Sequence, residues 1–162
     1  MSQHTEPTGL VPDDLARTMT GLEWMLGRVR GELPSPPMAG VLDFRMVEAE
    51  YGRVVFATTP DARSYNPIGT VHGGYAATLL DSSMGCAVHS TLAAGQSHTT
   101  PELKVNYVRA MTAATEKVTA EGRILHAGRQ VATAEGYLRD AGGRLLAHGT
   151  TSCLIFPRQR PG

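Results

Sequence analysis

One segment governs what this chain can fold into. Residues 71–95, VHGGYAATLLDSSMGCAVHSTLAAG, carry small or apolar side chains round every side of a helical projection, with paired glycines near the start and Gly95 at the stop. The pattern predicts a helix of about five turns, and a helix that is apolar all round has to be buried by the rest of the molecule. What surrounds it in the sequence is mostly strand.

Before it, Leu15, Met19, Leu22, Met25, Leu26 and Val29 recur at intervals of three and four after a Pro-Asp-Asp start. That spacing predicts one amphipathic helix from about Asp13 to Leu33. GELPSPPMAG then combines three prolines with two glycines and reads as a linker or loop. VLDFRMVEAE and RVVFATT, separated by Tyr51 and Gly52, form the simplest kind of pair, a hairpin. After the long helix, Thr99–Val108, Lys117–Leu125, Gln130–Arg139 and Arg144–Phe156 read as strands, the last two joined across Asp140, Ala141, Gly142 and Gly143. One long helix among about six strands, with no strand–helix alternation, predicts an α+β fold with an antiparallel sheet and an extra N-terminal helix.

Composition narrows the function. The 162 residues make one domain's worth of chain, 41% apolar, with 15 basic and 15 acidic side chains. Zero formal charge argues against a general nucleic-acid binder. Mean hydropathy is −0.16, and no run approaches the ~20 apolar residues of a membrane span. MSQHTEPTGLVPDD shows neither a basic start nor an apolar core of a secretory signal, so a cytoplasmic location is expected. Arginine supplies 13 of the 15 basic residues; it suits phosphate or carboxylate recognition, and a bias of composition explains it as well. Cys86 and Cys153 are expected as reduced, buried thiols. With no CxxC, HExxH or paired histidines, no metal is expected.

The chemistry concentrates in Asn66-Pro-Ile-Gly-Thr-Val-His72-Gly73-Gly74 and in Asp81. First-turn amides lack intrahelical partners, and glycines there let a ligand approach, so the Gly73 and Gly74 N–H groups can hold an oxyanion. Removing such a donor typically raises a barrier by roughly 3–4 kcal/mol. Asp81 interrupts an apolar helix, with small Ala77 and Gly85 one turn away on either side. A carboxylate there is costly unless something uses or pairs it; facing solvent or pairing with an arginine accounts for it equally. His72 suits an acid or base, or the hydrogen bond that fixes a loop. Ser82 and Ser83 lack a GxSxG elbow, and the glycine turns at Gly128 and Gly142-Gly143 lack a P-loop lysine.

HGG with an aspartate seven residues on, Asn66 upstream, the strand TTPELKVNYVRAM, the HAGR turn and the GRQVATAEGYLRDAGGRLLAHGTTSCLIF end come in the order and spacing of one family. The chain resembles the hotdog-fold acyl-CoA thioesterases of the phenylacetate-degradation (PaaI-like) type over roughly Met38 to Phe156. The resemblance implies a long central helix wrapped by a curved antiparallel sheet. It implies a hotdog domain over 38–157, preceded by an N-terminal extension over 1–37 and followed by a tail over 158–162. Two copies would join their sheets, dimers would pair into tetramers, and active sites would lie at the dimer interface.

By the same resemblance, Gly73 donates its amide to the thioester oxygen and Asp81, from the other copy, activates water or attacks directly. Asn66 positions water or substrate, and Thr99 or Thr100 puts a hydroxyl near the carboxylate. Gly74, Arg109, Arg129, Gln130 and Arg158 are the candidate coenzyme A contacts, each arginine also readable as a solvated surface residue. No cofactor is implied beyond coenzyme A as part of the substrate. Relatives with glutamate at the Asp81 position often carry threonine where this chain has Gly85, so their water-positioning scheme does not transfer. A non-catalytic acyl-CoA-binding module is the alternative, which retention of Asp81 disfavours; a hotdog dehydratase fits less well, lacking the HGG start.

Overall fold

The computed structural model describes residues 7–158. In chain order the elements are α1 (Asp13–Thr18), α2 (Gly21–Val29), α3 (Pro37–Leu42), β1 (Phe44–Glu50), β2 (Arg53–Thr58), α4 (Gly73–His89), β3 (Gln96–Tyr107), β4 (Val118–Ala127), β5 (Val131–Asp140) and β6 (Leu145–Pro157). The six strands form one antiparallel sheet in the order β1-β2-β4-β5-β6-β3, with α4 packed against it. This is the expected hotdog arrangement.

Three local readings are corrected. The single N-terminal helix is two, because Thr20 caps a new start: the Glu23 N–H donates to its hydroxyl at 3.3 Å while the Thr20 N–H donates to Glu23 Oε2 at 2.8 Å. That capping box satisfies two otherwise unpaired amides and redirects the chain. The proline-rich stretch is not all loop: Pro37 takes the first position of α3, where its fixed φ suits the helix and its missing N–H costs nothing. As a result β1 starts at Phe44, after Asp43 in the left-handed region (φ 56°). The long helix stops at His89, short of Gly95.

Burial of α4 follows from the sheet's curvature and from glycine. Leu80, Met84, Ala87 and Val88 are fully buried on its inner side, against Val54, Val118, Ala134 and Leu138. Gly122, Gly136 and Gly149 pair across β4, β5 and β6 in one row. A Cβ on Gly122 would stand 2.3 Å from the Ser83 carbonyl carbon and oxygen, and one on Gly136 would stand 2.9 Å from Met84 Cγ. The row is a trough that lets helix backbone and the Met84 side chain settle onto the strands.

The N-terminal helices close the other side. The Gly21 N–H donates to the Leu92 carbonyl at 2.9 Å, and a Cβ there would lie 1.6 Å from the His89 carbonyl oxygen. Only glycine lets α2 start against the C-terminal end of α4.

Candidate active site

The start of α4 is held from three sides. His72 precedes the helix in extended conformation, and its Nδ1 accepts the Gly74 N–H at 2.8 Å. The Tyr107 hydroxyl, from the end of β3, donates to the Gly73 carbonyl at 3.0 Å. Asn66 closes the loop ahead of the helix: its Nδ2 donates to Thr70 Oγ1 at 2.9 Å, and its Oδ1 accepts the Ile68 and Thr70 amides. These bonds use one first-turn amide and leave the Gly73 N–H with no partner among the described residues. It borders a cavity of about 260 Å³ shared with Thr70, Val71, Tyr107, Arg109 and Met111.

Asp81 borders a different cavity. Some 270 Å³ in volume, it is walled by Trp24, Met25 and Arg28 of α2, by Asp81, Ser82, Gly85, Cys86 and His89 of α4, and by His98 and Thr100 of β3. Asp81 is half-buried, and its Oδ1 is enclosed with no hydrogen-bond partner. Thr100 lines this cavity, whereas Thr99 faces solvent where it pairs with Leu154. Gly85 leaves room for His98: a Cβ there would stand 3.3 Å from His98 Nε2.

Burial sets the ionisation of the cavity's other groups. The Cys86 thiol is pushed up to about 11, so it stays protonated and is no nucleophile at neutral pH. His89 and His98 meet Nδ1 to Nδ1 at 3.3 Å, and His89 stands edge-on to Trp24. Desolvation brings His89 down to about 3 and lowers His98 as well, Asp81 pulling the latter partly back. Both imidazoles are therefore neutral at pH 7. A histidine with a folded pKa below its unfolded value contributes stability that is complete above about pH 6.5 and fades as pH falls toward the folded value. Urea unfolding is expected to show a loss on the order of 2 kcal/mol between pH 7 and 4.5, with His89→Leu flattening the curve. An equally steep curve in that variant would assign the acid sensitivity elsewhere.

The remaining sequence candidates scatter. Arg109 borders the Gly73 cavity and is exposed. Arg129 and Gln130 are exposed in the turn between β4 and β5. Arg158 is already engaged: it pairs with Asp13 at 3.0 Å and lies 5.3 Å from the centre of the Trp24 ring. Sequence reading missed Trp24, Arg28, His98 and Tyr107. The cavity members among them sit on elements far apart in the chain, with no local motif to join them.

Comparison with known proteins places this architecture. The thioesterase superfamily profile matches residues 68–147, which run from the loop before α4 into β6. A Saccharolobus solfataricus protein named as a candidate esterase is 30% identical over 115 residues, covering 71% of this chain and 80% of its own. The chain belongs to the thioesterase superfamily. As a member it is an enzyme of the thioester hydrolase class. Among solved structures, a Ralstonia eutropha phenylacetic acid degradation-related protein, described as a candidate thioesterase, is 28% identical with a TM-score of 0.73 over 81% of this chain and 98% of its own. A Streptococcus mutans protein crystallised with acetyl-CoA is 26% identical with a TM-score of 0.65, over 72% of this chain and 91% of its own. The superfamily profile leaves α1 to β2 outside its match. No described helix is long and apolar enough to cross a membrane.

Proposed function

We propose that this thioesterase hydrolyses an aryl or short- to medium-chain acyl-CoA to a carboxylate and free coenzyme A, working in the cytoplasm without metal or redox cofactor. One observation carries the reading: two unpartnered groups suited to the reaction, the Gly73 N–H and Asp81 Oδ1, stand eight residues apart on one helix and border separate cavities. At about 1.5 Å per residue they are ~12 Å apart, too far to serve one thioester together. Gly73 of one copy facing Asp81 of another makes a complete site, which supports a homodimer with sites at its interface. β3 ends the sheet and has a neighbour on one side only, so its outer edge is free to join the sheet of a second copy. Two such dimers would pair into a tetramer, as the resemblance implies.

In this reading Asp81 takes a proton from water, whose oxygen attacks the thioester carbon. The carbonyl oxygen becomes negative and is held by the Gly73 N–H and the positive end of α4. Collapse expels the coenzyme A thiolate, which regains the proton from Asp81. Direct attack by Asp81, through a mixed anhydride, is the variant route; single-turnover hydrolysis in ¹⁸O-water labels the Asp81 carboxylate only on that route. His72 and Asn66 act as positioning residues, because their hydrogen bonds shape the loop and helix start and leave the Gly73 amide open. Thr100, which lines the same cavity as the acid, would assist it, and Arg109, Arg129 and Gln130 would supply coenzyme A contacts.

The test is thiol release from a panel of acyl-CoAs, with Gly73→Pro beside Gly73→Ala. Proline suits the first helical position, and His72 already has the extended conformation that precedes it; both variants add a Cβ 3.1 Å from the Tyr107 ring, so the difference between them reports chiefly the lost N–H. Turnover is expected to fall about 100-fold in Gly73→Pro and far less in Gly73→Ala. Equal losses in the two variants would remove Gly73 as the oxyanion donor, and no release by the wild type from any thioester would overturn the function.

A further inference from the structure

Three side chains around the Asp81 cavity have an enclosed hydrogen-bonding atom without a partner: Trp24 at Nε1, Arg28 at Nε and Asp81 at Oδ1. Proteins leave few such atoms unpaired, and all three belong to residues that wall one cavity, which points to a polar occupant there. Two of the three are donors from α2, which lies outside the segment matched to the superfamily. Trp24 is only 9% exposed.

The charges narrow the occupant's chemistry. His89 and His98 are neutral at pH 7, which leaves Asp81 as the acidic and Arg28 as the basic side chain on the cavity wall. Arg28 forms no ion pair among the described residues, and its guanidinium lies 5.9 Å from the centre of the Trp24 ring. A base that must accept a proton from water works best without a cation locked onto it, so Arg28 is free for another anion. Guanidinium groups match carboxylates in a planar, two-bond geometry. Size agrees with a compact occupant: a cavity of about 150 Å³ holds benzene, and the 270 Å³ walled by this chain has room for a short chain or a single ring with a terminal group.

We propose, building on the acyl-CoA thioesterase reading, that Arg28 recognises a carboxylate at the far end of the acyl group, which makes the preferred substrate the thioester of a compact dicarboxylic acid. α2 is then the element that reads the acyl group, while α4 supplies the chemistry.

The experiment compares kcat/KM for glutaryl-CoA and pentanoyl-CoA, equal in carbon number and different in terminal charge, in the full-length wild type, Arg28→Gln and Arg28→Lys. Wild type is expected to favour the glutaryl ester at least tenfold. Arg28→Gln should lower that ratio by about 10- to 100-fold, mainly through KM, and Arg28→Lys should fall between, keeping charge without the planar fork. A wild-type ratio at or below one overturns the proposal, as does a ratio unchanged in Arg28→Gln; should that variant misfold, the Arg28→Lys ratio decides by the same criterion. Pentanoyl- or aryl-CoA turnover that depends on Asp81 but shows no glutaryl preference would sink the Arg28 assignment alone. Failure to release thiol from any thioester would sink the underlying function too.

Discussion

Asp81→Asn is expected to lower thiol release about 1000-fold while leaving the fold intact. The side chains are isosteric, and Asp81 Oδ1 has no hydrogen bond to lose. The amide cannot take the proton from water, a role worth roughly 10²–10⁴-fold. Replacing a half-buried, unpaired carboxylate with a neutral amide should hold or slightly raise the melting temperature. Lost activity with unchanged stability marks a residue kept for chemistry. The same variant tests the two-copy site. In an equimolar mixture of Asp81→Asn and Gly73→Pro chains refolded together, half the dimers are mixed and each mixed dimer has one intact site. Activity should recover to about a quarter of wild type. A mixture that stays at the level of its components would place both groups of each site on one chain.

Gly122→Ala is expected to be the most damaging single-methyl change on the sheet. The added Cβ would meet the Ser83 carbonyl at 2.3 Å, and backbone cannot rotate aside as a side chain does. Either α4 lifts or β4 bends, at a cost of about 3 kcal/mol. In a chain of this size that lowers the melting temperature by roughly 6–12 °C. Gly136→Ala meets Met84 Cγ, part of an adaptable side chain, and should lose less. Urea and thermal unfolding of the pair measure both. A Gly122→Ala loss within about 0.5 kcal/mol would show that helix and strand are less closely packed than the trough implies.

Long-range architecture was more legible than local boundaries. The apolar helix, the strand succession and the antiparallel class follow from periodicity, because burial imposes it on every element of this sheet. The break at Thr20 was written in Thr20 and Glu23, but the apolar spacing running through it suggested a continuous helix. Pro37 looked like a breaker and is a helix start, since proline's effect depends on position within the turn. For the site, HGG and Asp81 stood out because each breaks a local rule. The choice between Thr99 and Thr100 rests on the register of β3 against β6, which shifts between Thr99 and Glu102. Arg28 and His98 reach the Asp81 cavity only through tertiary packing, so no window of sequence joins them to it.

The glycine trough also bears on how the sheet finds its pairing. A slip of one residue along β4, β5 or β6 would turn that strand's inward side chains outward. A slip of two keeps the faces and would be harder to detect by hydrophobic pattern alone. It would, however, bring Ala120 or Ile124, Ala134 or Leu138, and Ala147 or Thr151 into the row now made by Gly122, Gly136 and Gly149. A side chain at the first two positions blocks the seat of α4, and one at the third runs into the Lys104 carbonyl of β3, 2.6 Å from a Cβ there. A docked helix is therefore compatible with the native strand alignment and not with one slipped by two residues.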